Sequence, residues 1–319
     1  MMYKTLKNKV DKLAAAYEYA EENLRYDGNL INNFTSIVYS DIDKELDYKF
    51  IKDIRKHISS KTPWFSSFRG NSLYMLSILL SVEEDWNNVF EKVAFWEEHL
   101  RSAGFREGTY LVMSSWVLAK SIGDEEDKED VLRRVIGFYN FIKKNYSNIT
   151  SSDDYLVCVF LAIANLSPLE YKSTLDYILK NLKKGQEYTS NNRAQALANA
   201  LTMDRKECES NLDRVRAIIY GCEKIGYQIP NHYMTVIGIA TLFIKDTNEL
   251  LSEVEVAIEY LSQFHQYNFF MDKSFKCILA IITVLNDRKI NKVILNSIIA
   301  VCINDEIEGQ TNSLLSSVN

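Results

Sequence analysis

The side chains of this 319-residue chain that could do chemistry are few and scattered. His57, His99, His232 and His265 stand far apart, and no HExxH pair or Cys-His cluster has the spacing a tetrahedral zinc site needs. Cys158, Cys208, Cys222, Cys277 and Cys302 show no paired spacing, and Cys158 and Cys277 lie inside apolar runs where a thiol serves as a small core side chain. The acidic run Asp124-Glu125-Glu126-Asp127 could ligate magnesium, but it falls where a helix begins, and carboxylates complement the positive end of a helix dipole. No glycine-rich loop precedes a Lys-Ser or Lys-Thr pair, and serine, histidine and aspartate form no nucleophile motif. The sequence names no catalytic residue, no metal ligand and no cofactor.

Two local patterns stand out. Asp153-Asp154 is similar to the start of the aspartate-rich motif of helical prenyl-transfer enzymes, but that chemistry needs a further carboxylate one turn on and a second acidic motif facing it. Here Tyr155, Leu156 and Val157 follow. The second pattern is a Phe-Arg pair presented twice, in Phe68-Arg69-Gly70-Asn71 and in Phe105-Arg106-Glu107-Gly108, with Trp64 and Phe65 just upstream of the first. In one reading each phenylalanine closes a helical hairpin as a hydrophobic staple and each arginine pairs with an acidic residue of the next unit. In the other, Arg69 and Arg106 lie beside helix N-termini on one edge and make an electropositive strip for a carboxylate or phosphate, flanked by Trp64, Phe65, Phe68 and Phe105.

The elements that must position these residues form a repeat. Segments beginning SLYMLSILL, TYLVMSSWVLA, DDYLVCVFLAIA, NNRAQALANAL, NHYMTVIGIATL and DKSFKCILAIITVL align with Tyr74, Tyr110, Tyr155, Ala194, Tyr233 and Phe275 in equivalent places, at spacings of 36, 45, 39, 39 and 42. A period in this range marks a repeat architecture, since one helical hairpin cannot bury its own apolar face. The upstream half of each unit is amphipathic: Val89, Val93, Trp96 and Leu100, and again Tyr171, Leu175, Ile178 and Leu182, step by helical spacing along one face. Ser167-Pro168-Leu169-Glu170 is a capping box with proline at the first helical position. The downstream halves open on Thr109, Ser151 or Ser152, Asn191, Asn231 and Asp272, all able to cap.

The expected fold is therefore all-α, an irregular helical-hairpin α-solenoid of about seven antiparallel pairs with a C-terminal cap helix near 288–303. With 3 prolines, 11 glycines and no hairpin turn between alternating segments, nothing argues for strands. Residues 1–303 read as one repeat domain and 304–319 as a polar, frayed tail.

Composition bounds the partners. The net charge is −6, from 37 basic and 43 acidic side chains, without the clustered Lys and Arg that bind a phosphate backbone, which argues against nucleic acid. Lys143-Lys144 and Lys183-Lys184 are isolated pairs near helix C-termini, where they complement the dipole. No apolar run is long enough to span a bilayer, and lysine and aspartate interrupt the start where a signal peptide needs its apolar segment. A cytoplasmic protein with reduced thiols is expected.

The run Ser66-Ser67-Phe68-Arg69-Gly70-Asn71, the stretch from His99 to Lys120 and the stretch from Phe138 to Ile163 resemble a bacterial family catalogued as domain of unknown function number four thousand and three. The resemblance spans most of the chain, is most specific in the two Phe-Arg turns and the serine-aspartate-tyrosine turn, and implies no activity. Two functions follow as expectations. The first is a non-catalytic scaffold whose extended face holds a protein or peptide, acidic if it meets the arginine strip. The second is an enzyme or small-molecule binder with a pocket on the concave face, marked by convergent ionisable groups of perturbed pKa.

Overall fold

The computed structural model describes residues 2–147, 151–184, 191–268 and 271–318. It is all-helical, with 78% of the chain in helix and no strand among the described residues. In chain order the helices are α1 (Met2–Asn23), α2 (Asn29–Ser40), α3 (Tyr48–Lys61), α4 (Asn71–Ser81), α5 (Trp86–Ser102), α6 (Thr109–Ser121), α7 (Lys128–Asn145), α8 (Asp154–Ile163), α9 (Pro168–Lys184), α10 (Asn191–Leu201), α11 (Cys208–Lys224), α12 (Met234–Phe243), α13 (Thr247–Leu261), the single turn α14 (His265–Asn268), α15 (Lys273–Asn286) and α16 (Lys292–Val318).

Two kinds of helix alternate, and their sequences say why. The odd-numbered helices α3 to α11 bury one stripe: α5 buries Phe90, Val93, Trp96 and Leu100, and α7 buries Val131, Val135, Phe138 and Ile142. Their partners are buried on nearly every side, as in α4 from Met75 to Ser81 and α6 from Leu111 to Ala119. A helix apolar all round has to lie inside. Small hydroxyls let these inner helices pack closely, and Ser36, Ser81 and Ser115 return their protons to carbonyls of the preceding turn.

Each outer helix pairs with the inner helix that follows it, α1 with α2 through α11 with α12, and α13 pairs with α15. The inner helices then touch in sequence, α2, α4, α6, α8, α10, α12 and α15. Starts are fixed by carboxylate caps: Asp47, Asp85, Asp127, Asp246 and Asp272 each accept a bond from a first-turn N–H. Asp127 belongs to the acidic run, whose Asp124 pairs with Lys92. Ser167 and Glu170 exchange the two bonds of a capping box. Lys143 and Lys144 fall in the last turn of α7, while the side chains of Lys183, Lys184 and Asn191 lie outside the described residues.

The array closes on itself, because α1 packs on α13 and α15 and brings the first pair against the last. The closing seam is polar at one end, where Lys9 and Lys292 both reach Asp41 and the Asn286 amide donates to the Ile37 carbonyl, and aromatic at the other, where the Tyr17 and Tyr267 rings lie 5.5 Å apart. The segment from Asn304 is not a frayed tail, since α16 runs 27 residues, straight through it. α16 packs against α2, α6 and α12, which belong to separate sectors of the ring, so it occupies the centre. Its polar half stays helical because it finds partners there. The Asn304 side-chain oxygen accepts from Asn71 and Thr109, and the Tyr110 and Tyr233 hydroxyls donate to Asp305 and Glu306. Thr109 thereby serves the central helix and not a cap, and Gly108 takes the cap position of α6.

Candidate functional site

The two Phe-Arg turns separate into structural roles. Both phenylalanines are buried, Phe68 against Phe90 at 5.9 Å and Phe105 between Tyr139 and Tyr155 at 4.7 and 4.5 Å between ring centroids. Both turns pass into the next inner helix through a glycine in the left-handed half of backbone space, Gly70 at φ 59° and Gly108 at φ 144°, where a Cβ would strain the chain. Arg69 spends its guanidinium on the end of α3, donating to the Ser59 and Thr62 carbonyls at 3.1 and 2.7 Å and to the Thr62 hydroxyl at 2.7 Å. These are carbonyls a helix end leaves without intrahelical partners. The Arg106 side chain is exposed, and its backbone N–H donates to the Tyr155 hydroxyl at 2.9 Å. A shallow depression at this edge is lined by Arg69 but not Arg106, and it also holds Glu107 and Glu308. Trp64 and Phe65 project into solvent, 82% and 72% exposed.

A well-formed cavity lies elsewhere, between the inner helices and the central one. It takes in about 1340 Å³ of empty space including its mouth, bounded by α6, α8, α10, the start of α12 and the central helix. One wall is apolar, with Leu156, Phe160 and Leu161 from α8 opposite Ile298 and Val301 from α16. The polar end gathers Tyr110, Asp153, His232, Asp305 and Glu308. These groups converge because the inner helices start at the same end of the ring, and α16 brings its acidic turn to that end.

Their environment perturbs them. Burial raises the Asp305 carboxyl to about 6, with Asp153 and Glu308 adding to the rise while the Tyr110 hydroxyl and His232 oppose it. Tyr110 is pushed well above its ordinary value by burial and then by Asp305, so it stays a protonated donor. Below the polar end lies a buried network. Asp154 accepts from Gln195 at 2.9 Å, from Asn199 at 3.0 Å and from the Ser151 N–H at 3.2 Å, and the Tyr171 hydroxyl donates to the Asn199 side-chain oxygen at 2.6 Å. Burial lifts Asp154 to about 7 despite these donors, so it titrates near neutrality. The His232 Nε2 atom is buried without a hydrogen-bond partner, 3.6 Å from a Glu306 oxygen.

Of the site residues the sequence offered, none lines this cavity. Asp153 was visible as half of an acidic pair. Asp305 and Glu308 sat in the segment read as a frayed tail, His232 was one of four scattered histidines, and Tyr110 headed an apolar helix. Asp153, Asp305 and Glu308 put carboxyl groups, and Tyr110 a phenol, at one end of an apolar slot, an arrangement that can orient a small molecule by its polar end and exchange a proton with it near neutral pH. Among the described residues no group of three or more His, Cys, Asp or Glu side chains is arranged to hold a metal ion, and no helix is long and apolar enough to cross a membrane.

A family model described as "Protein of unknown function (DUF4003)" matches residues 16–312, and the chain belongs to that family. No curated protein and no solved structure matches it.

Proposed function

We propose that this family member binds a small organic molecule in the cavity between α6, α8, α10, α12 and α16. The observation that carries the reading is the cavity's place at the centre of a closed ring, where a ligand can be surrounded by four inner helices and the central one. The concave face that an open stack would have offered a peptide is filled by α16. In this reading the helical-hairpin repeat is the scaffold that closes round a site. The apolar wall contributes about 25 cal/mol per Å² of ligand surface it covers. The Tyr110 hydroxyl and the carboxyl groups fix which way the ligand enters. Asp305, at about 6, is also placed to take or give a proton, which would make the site catalytic for a ligand that ionises in the reaction. Five unpaired thiols suit a reducing, cytosolic setting.

The test is a thermal-shift screen of a metabolite library spanning amines, sugars, carboxylates and nucleosides, run in parallel on wild type and on an obstructed cavity. Gly309 lines the cavity from α16 and a Cβ built there meets nothing within 4 Å, so Gly309→Phe attaches a ring at the cavity wall without a clash at its first carbon. At least one compound should raise the melting temperature of wild type and lose its effect in Gly309→Phe, with unliganded melting retained. A library without hits, or hits that act equally on both proteins, removes the reading.

A further inference from the structure

We infer that the ligand of this cavity is an organic cation, an amine with an apolar body, whose ammonium group sits among Asp153, Asp305 and Glu308 while its body lies against Leu156, Phe160 and Ile298. The inference rests on the small-molecule reading above and adds the charge and shape of the ligand.

The charge balance of the cavity departs from the rest of the molecule. Elsewhere, several half-buried carboxylates have a cation of their own. Asp27 takes a bidentate bond from Arg55, Asp41 pairs with Lys9 and Lys292, Glu83 with Lys120, and Glu253 with Arg288. No lysine or arginine lines the cavity, although 37 such residues were available to the chain. Asp305 is met by a phenol, Glu308 by the Asn304 amide at 2.9 Å, and His232 stands nearer Glu306 than any other acid. The positive ends of α8 and α12 face the same end of the ring and offset part of this charge. They do not supply a cationic side chain, and no lysine or arginine lines the cavity.

A ligand entering such a site has three possible polar ends. An anion would meet like charges at close range. A neutral alcohol would satisfy hydrogen bonds and leave the charge uncompensated. An ammonium group supplies the missing counter-ion, and its N–H bonds to carboxylate are the stronger, charge-assisted kind. Tyr110 and Phe160 bring aromatic rings to the cavity lining, and aromatic rings attract cations. The apolar wall opposite requires a hydrocarbon part, which excludes a bare metal ion or ammonia as the preferred occupant.

Three probes that share one body test this: 4-phenylbutylammonium, 4-phenylbutanol and 4-phenylbutyrate, titrated into the whole protein by calorimetry at neutral pH and low salt. The ammonium should bind wild type about tenfold or more tighter than the alcohol, with the carboxylate weakest. Asp305→Asn with Glu308→Gln keeps the Tyr110 and Asn304 partners supplied with oxygen acceptors. It should leave alcohol binding in place and bring the ammonium within about threefold of it. Gly309→Phe should abolish binding of all three. An alcohol or carboxylate that matches the ammonium, or a preference for ammonium that survives in the double variant, overturns the assignment while the small-molecule reading stands. No binding by any probe at millimolar concentration also overturns it. If the library screen has no hit either, the cavity reading falls with it.

Discussion

The Tyr110 hydroxyl donates to Asp305 at 2.7 Å, joining α6 to the central helix at the edge of the cavity. The bond is one of the influences that hold the Asp305 carboxyl down against burial. Tyr110→Phe removes the donor and keeps the ring. Asp305 should then titrate above about 6, readable by carboxyl NMR, and stability should fall by about 1–3 kcal/mol above that pH, the cost of a poorly satisfied buried acceptor. Well below it the protonated carboxyl no longer needs the donor and the loss should shrink. An unchanged Asp305 titration would show that the bond does not form in solution.

Two raised carboxyls give stability a pH slope of definite sign. Asp154 at about 7 and Asp305 at about 6 bind a proton more tightly in the folded chain than in the unfolded one, whose value lies near 3.8. Between those values and the unfolded one the native state carries more protons, so stability declines as pH rises and the cost is complete above about 7. The groups facing Asp154 are Asp153, Ser151, Gln195, Asn199, Tyr171 and Cys158, of which only Asp153 adds charge at these pH values. Asp305 faces Tyr110, Asp153, His232 and Glu308. Urea melts from pH 4 to 8 should show a downward slope that flattens in Asp154→Asn, where an amide keeps the oxygen that Gln195 and Asn199 use. Equal slopes in variant and wild type would mean Asp154 does not titrate in this range.

What the sequence made legible was whatever is local. Tyr171, Leu175, Ile178 and Leu182, spaced as one helical stripe, are all fully buried along α9. The Ser167 box and the Asp272 cap form where their spacing places them. Ring closure was not legible, because the meeting of α1 with α13 depends on small rotations accumulated over every pair between them, and no residue encodes that sum. The site was hidden for a related reason. Asn304, Asp305 and Glu306 are polar and C-terminal, which reads as solvent-exposed, yet they face a polar centre built by helices far away in the chain. One signal was available. Tyr110 and Tyr233 head fully apolar inner helices with a hydroxyl to satisfy, and such a group needs an acceptor somewhere in the interior.

The two turn arginines should behave differently despite matching sequence. Arg69→Ala removes three bonds to the last turn of α3 and should lower stability by about 1–2 kcal/mol, with Thr62 and Ser59 amides exchanging faster with solvent. Arg106→Ala changes an exposed side chain and should leave stability within about 0.5 kcal/mol. Equal losses from the two would show that the Arg106 guanidinium holds the fold through a contact of its own.

The sharpest separation of a tail from a central pillar is deletion of residues 304–319. Were this segment frayed, its loss would leave melting unchanged, since exposed terminal residues contribute little. In the ring it supplies the acceptors for Asn71, Thr109, Tyr110 and Tyr233, which lie at the starts of α4, α6 and α12. Deletion strands those four donors and opens the cavity along one side. Each buried group left without a partner costs about 1–3 kcal/mol. The summed loss is comparable to the whole stability of a marginal domain. The shortened protein should therefore melt far below wild type or fail to fold. A gentler pair of changes covers the second case: Asn304→Ala removes the acceptor of Asn71 and one of the two hydroxyl partners of Thr109, while Glu306→Gln keeps an acceptor for Tyr233 and removes charge. Asn304→Ala should lower the urea midpoint clearly and Glu306→Gln barely. If truncation at Ile303 melts with wild type, α16 does not hold the ring together.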